Sequence, residues 1–176
     1  MKSDWRTSRA SDFARHLGDL RAGSYEGSAE RGDKERVFRR AVDLLAPVAV
    51  GVLTAFSATM LAMVGEVSDS GVLQSPDGGL VREWRLSWAG QRGAERRTGP
   101  PGPIQPIVVR AHFPPGWTHG HLAGSVVGNW PLQIVDESDA ERQGPIIWAI
   151  AEAEFHERIY ESVQPWTVVP APLGKP

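Results

Sequence analysis

LLAPVAVGVLTAFSATMLAMVG, residues 44 to 65, carries no charged side chain. Its length of about 22 residues, at about 1.5 Å of rise per residue, is enough for a helix to cross a hydrocarbon core. Gly51, Ala55, Ala58, Ala62 and Gly65 recur within it at helical spacing. This stripe of small side chains would let helix backbones approach closely, as an oligomerisation seam does. Val48, Val52, Phe56, Met60 and Met63 lie off the stripe. They predict a second apolar surface that faces lipid or encloses an apolar lumen. Three arrangements fit the run: a membrane span, a soluble helical bundle with an apolar interior, and an ordinary core helix.

Working outward, residues 1–32 form a polar arm. Phe13, Leu17 and Leu20 fall near one face of a short helix over Ser11 to Arg21, which predicts docking through that apolar face, with His16 solvated. Asp33 is a fitting N-cap for one long hydrophobic helix over residues 33–65, bent or restarted at Pro47. Arg31, Lys34, Arg36, Arg39 and Arg40 precede the apolar run, whereas Glu66 and Asp69 follow it. A span would therefore place residues 1–43 in the cytoplasm.

Downstream, Ser, Asp, Gly and Pro over residues 66–79 predict a linker. Residues 80–163 then read as a small Trp-rich α+β domain. Its expected strands are Leu80–Trp88, with Arg82 interrupting the apolar alternation, Ile107–Phe113 and Pro131–Val135. Ser138 and Glu141 suggest a capping box, and Ile146–Tyr160 a helix. Residues 164–176 read as an extended Pro-rich tail lying on a partner surface. The fold class is thus α+β, with a long N-terminal hydrophobic helix ahead of the small domain.

Composition narrows the function. The 176-residue chain has a formal net charge of -2, which argues against nucleic acid as a partner. It has no cysteine, so disulfides, thiolate zinc sites and cysteine-held iron–sulfur clusters are excluded. The apolar run lies too far from the first residue, and is too long, for a cleaved secretory signal. No nucleophile elbow, P-loop, dinucleotide fingerprint or kinase signature occurs. The seven tryptophans read as core and interface anchors.

One constellation offers metal chemistry. His119 and His121 in a His-x-His pattern, with Glu152 and His156 four apart on a helix, supply nitrogen and oxygen ligands suited to zinc, iron or manganese. The competing reading is a Gly-rich turn beside a helical polar pair.

The layout favours a non-catalytic accessory or scaffold subunit that self-assembles through its helix and links a larger enzyme to a membrane. In that layout, with Leu44 to Gly65 preceding a small His- and Trp-containing domain, the chain resembles the small accessory or stalk subunit of actinobacterial high-affinity uptake nickel–iron hydrogenases. The resemblance implies hydrogenase partners and access to menaquinone. It does not make the chain the hydrogenase itself, because the four nickel-holding cysteines of that family's large subunit are lacking. The expected partners are further copies of the chain, larger enzyme subunits and a membrane or lipid-soluble molecule. Nothing is expected to be covalently bound. A quinone or lipid is the expected ligand, with a metal ion only under the alternative of a helix-tethered His/Glu enzyme. The expected location is membrane-associated on the cytoplasmic side; a single-span anchor with an extracytoplasmic domain is the other alternative.

Overall fold

The computed structural model describes residues 5–100 and 102–170, with side chains from residue 10 onward. The ends of the predicted arm and tail, residues 1–4 and 171–176, lie outside the described residues. The elements run α1 (Trp5–Ala22), α2 (Arg31–Met60), β1 (Glu66–Asp69), β2 (Leu73–Gln74), β3 (Leu80–Ser87), α3 (Ala89–Gly93), β4 (Ile107–Phe113), β5 (His121–Ala123), β6 (Trp130–Pro131), α4 (Glu137–Glu141), α5 (Gly144–Glu161) and α6 (Pro165–Val168). The fold is α+β, with the long apolar helix in place.

The strands form one antiparallel sheet in the order β1-β3-β4-β5-β6, with β2 also paired to β3. Alternation sets the faces. Leu80, Trp84 and Leu86 point to the core together with Ile107, Val109, Ala111 and Phe113, with Trp84 opposite Val109 in register. Arg82 falls on the same face as Trp84. Its guanidinium is accommodated because Asp43 of α2 and Asp69 of β1 each accept from it at 2.7 Å.

α2 covers this face with a stripe of Phe38, Ala41, Val42, Leu45, Ala49, Leu53 and Phe56, all fully buried. The helix therefore shares one hydrophobic core with the sheet and α5. Pro47 sits within α2 on the exposed side and does not end it. The helix begins after Glu30, not at an Asp33 cap, and stops at Met60. Ala62 and Met63 take positive φ values of 48° and 65°, and the Ser57 carbonyl accepts from both Leu61 N–H and Met63 N–H.

Several expectations are corrected here. Of the proposed small-residue stripe, Gly51, Ala55 and Ala58 are exposed on α2, whereas Ala62 and Gly65 lie past its end. Gly65 serves a contact within the chain: a Cβ there would sit 2.6 Å from Leu86 Cδ1 and from Ser57 Oγ. The proposed lumen residues do not line a lumen. Phe56 is fully buried against Trp148 and Phe155, and Val48, Val52 and Met60 pack on the same core. Met63 alone of these is freely exposed, at 78%. The sheet and α5 cover the side of α2 that carries Phe56, while the side that carries Gly51, Ala55 and Ala58 stays exposed.

Residues 66–79 are not a plain linker, because they carry β1 and β2. The third strand expected at Pro131–Val135 is replaced by β5 and the two-residue β6, and α4 is capped by Asp136, whose carboxylate accepts from Asp139 N–H. The described part of the tail folds back on its own domain. Val168 is buried, and the Trp88 indole N–H donates to its carbonyl at 2.6 Å.

Candidate metal centre

His119, Gly120 and His121 lead into β5, and the glycine is dictated by packing. A Cβ at Gly120 would lie 2.6 Å from Phe38 Cδ2, so only glycine lets α2 close on this strand. The Gly120 carbonyl accepts from Leu132 N–H, and the Leu132 carbonyl accepts from the buried Tyr25 hydroxyl at 2.7 Å. His121 then pairs across the ladder with His112.

The third histidine comes from α1. His16 lies with its ring centroid 4.1 Å from that of His119 and 5.9 Å from that of His121. The His119 and His121 centroids are 5.1 Å apart. One ring nitrogen from each of the three lies within 4.8 Å of the others. His16 is 7% exposed and His119 2%. His16 Nδ1, both nitrogens of His119 and His121 Nδ1 are buried without a hydrogen-bond partner. Buried imidazole nitrogens left this way cost desolvation free energy, which a bound ion would offset.

Electrostatics keep the rings ready to ligate. Burial lowers the His121 pKa to about 4, with further lowering from a neighbouring charge on His119. Burial also lowers the pKa values of His119 and His16, so the cluster is neutral at pH 7 and its lone pairs are free for a metal. Asp19, one turn after His16, is engaged elsewhere: its carboxylate accepts from Ser24 Oγ at 2.7 Å, Glu26 N at 2.9 Å and Gln133 Nε2 at 3.0 Å. The donor set is thus three nitrogens with no carboxylate.

The four residues expected from the sequence split. His119 and His121 come together, but Glu152 and His156 are exposed on α5, where the His156 ring lies 4.8 Å from Tyr160. His16, expected to be solvated, is the residue that joins the pair. The face of α5 that turns inward carries Glu154 and Arg158, which are 0% and 3% exposed and joined at 2.6 Å. Glu154 also accepts from Ser125 N–H and Val126 N–H, and Arg158 donates to Ser125 Oγ and to the Pro106 carbonyl.

α2 is long and apolar enough to cross a membrane, and the buried core helix of a soluble domain meets the same test. Comparison of the chain with protein-family models, with curated proteins and with solved structures found no match.

Proposed function

We propose that this protein binds a divalent transition-metal ion of the zinc class through His16, His119 and His121. The observation that carries the reading is the convergence of three imidazoles, two buried and His121 half-buried, each with at least one buried nitrogen that lacks a partner and one nitrogen within 4.8 Å of those of the other two rings. Imidazole suits zinc, copper, nickel and cobalt, whereas calcium and magnesium prefer oxygen ligands. An ion held at about 2.0–2.1 Å draws the nitrogens closer and leaves one tetrahedral position for water. The test is titration of the full chain with cobalt(II), read by its visible absorption, followed by displacement with zinc. One ion per chain is expected, lost in His119→Ala combined with His121→Ala. A chain that takes up no metal at micromolar concentrations would sink the reading.

A second role is favoured by the outer face of α2. Pro47, Val50, Gly51, Thr54, Ala55 and Ala58 are exposed there with no charge among them. The Thr54 and Thr59 hydroxyls donate back to the Val50 and Ala55 carbonyls at 2.8 and 2.9 Å, so this face offers few free polar groups. It supports an accessory subunit that self-associates or rests on a membrane through α2, with a larger hydrogenase-type redox enzyme as the partner that the layout suggests. Light scattering of detergent-free protein tests it: a discrete oligomer that Gly51→Glu dissolves is the expected outcome, and a wild-type monomer that needs no detergent overturns it.

A further inference from the structure

We infer that the three-histidine site is a clasp, in which the bound ion fastens α1 to the segment leading into β5 and loss of the ion lets α1 detach. The inference rests on the metal-binding reading above and adds what occupancy does to the molecule. α1 sits on the domain with its amphipathic sense inverted. Phe13, Leu17 and Leu20 are 55%, 42% and 47% exposed, while the buried residues among positions 10–22 are His16 and Asp19. Among residues 10–22, the burial of apolar surface that holds an ordinary amphipathic helix in place is therefore missing.

What remains along the body of α1 is polar. Arg15 pairs with Asp139 at 3.2 Å, and Asp12 with Arg142 at 3.3 Å. The Arg15 and Arg142 side chains are about a third exposed, so water and salt reach the cationic side of each pair, although Asp139 is itself buried and Arg15 also donates to the Gln133 carbonyl. The ligand set divides along the same line. His119 and His121 are fixed by the Gly120–Phe38 contact and by the β5 ladder, whereas His16 arrives with α1. An ion that needs all three nitrogens is thus bound most tightly when α1 is docked, and by linkage it holds α1 there.

The other end of α1 has its own anchor. Asp19 is tied to Ser24, Glu26 and Gln133, and Tyr25 is fully buried with its hydroxyl on Leu132. None of these contacts involves the ion. Gly23, at a φ of 66°, makes the turn that ends α1 between these two anchors, so the part of α1 that the ion holds and its loss frees is the stretch ahead of Asp19.

Hydrogen exchange by mass spectrometry on the full chain, stripped with chelator and then given one equivalent of zinc, tests the clasp. Zinc is expected to slow exchange of the α1 amides preceding Asp19 about tenfold and to leave Ser24–Ser28 and the β3–β4 ladder unchanged. In His16→Ala, α1 is expected to exchange at the metal-free rate even with zinc present, and the β3–β4 amides report in the same experiment that the fold is intact. Wild-type protein that carries zinc by native mass spectrometry yet shows no added protection in α1 overturns the clasp and leaves the metal site standing. The clasp is equally overturned if His16→Ala is protected as well as wild type. Absence of bound zinc overturns the metal site and the clasp together.

Discussion

Among the polar clusters buried in the described residues, two are satisfied in opposite ways. In the Glu154–Arg158 cluster both carboxylate oxygens and all three guanidinium nitrogens have partners within the chain. In the His16–His119–His121 cluster the buried nitrogens Nδ1 of each, and His119 Nε2, have none. Buried charges persist only when paired and hydrogen-bonded, so the first cluster is complete as a structural tie between α5, Ser125 and Pro106. The second keeps buried nitrogens unpartnered, which the proposed ion would satisfy. A buried polar group is therefore read by its partners, not by its burial alone.

The sharpest way to break this contrast is to remove one half of the closed cluster. Arg158→Met leaves the Glu154 carboxylate buried without its cation, and a loss of about 3–5 kcal/mol is expected in urea denaturation. The metal titration of the protein that still folds should be unchanged. The open cluster should behave conversely. Zinc at a free concentration of a hundred times its Kd should raise stability by about 2.7 kcal/mol, and His119→Ala with His121→Ala should abolish that increment. The metal-free stability of this double variant should fall less than that of Arg158→Met, because ring packing against His16, Tyr25 and Trp117 is lost but no hydrogen bond or ion pair. If it falls as far as Arg158→Met does, the two clusters are alike and the contrast fails.

Acid gives a smaller effect with a definite sign. An unfolded His121 takes up a proton near pH 6.5, whereas the folded one refuses it until about pH 4. The unfolded state thus holds more protons across that window, and metal-free stability should fall as the pH is lowered from 6.5 to 4. The lowered pKa values of His16, His119 and His112 act in the same direction. Melting temperature against pH checks this, and His121→Asn should flatten the decline. The smallest stability change belongs to Gly51→Glu on the exposed face of α2, expected within about 0.5 kcal/mol. A larger loss would mean that this face is already packed.

The parts of the fold that are legible in the sequence are those with a strong period. Leu80–Ser87 and Ile107–Phe113 alternate, and α2 repeats Phe38, Ala41, Val42, Leu45 and Ala49 on one face. Arg82, an interruption in the pattern, is explained by Asp43 and Asp69, which are brought to it only by folding. β1 is hidden because Glu-Val-Ser-Asp is an edge strand with one half-buried apolar residue. α5 carries two polar pairs at the same spacing, Glu152 with His156 and Glu154 with Arg158. Apolar residues surround both, so periodicity does not tell which pair turns inward, and the inward one is Glu154 with Arg158. His16 escapes the sequence reading for a related reason. The stripe of Phe13, Leu17 and Leu20 points to an apolar docking face, and docking uses the flank beside it, where His16 stacks on Phe13. The signal present in the sequence is His16 and Asp19 at a spacing of three, on that flank.

The hydrogen bond from Trp88 to Val168 has a consequence in time. It closes the core across 80 residues of chain. A ribosome adding about 5–20 residues per second spends roughly 4 to 16 seconds between those two positions. Throughout that interval the indole N–H of Trp88 lacks its final acceptor, while the rest of the sheet, complete at Pro131, and then α5 are made ahead of it. The order of synthesis therefore makes α6 the closing piece of the nascent domain, and the pace of translation sets how long the site beneath it stays open to chaperones and proteases.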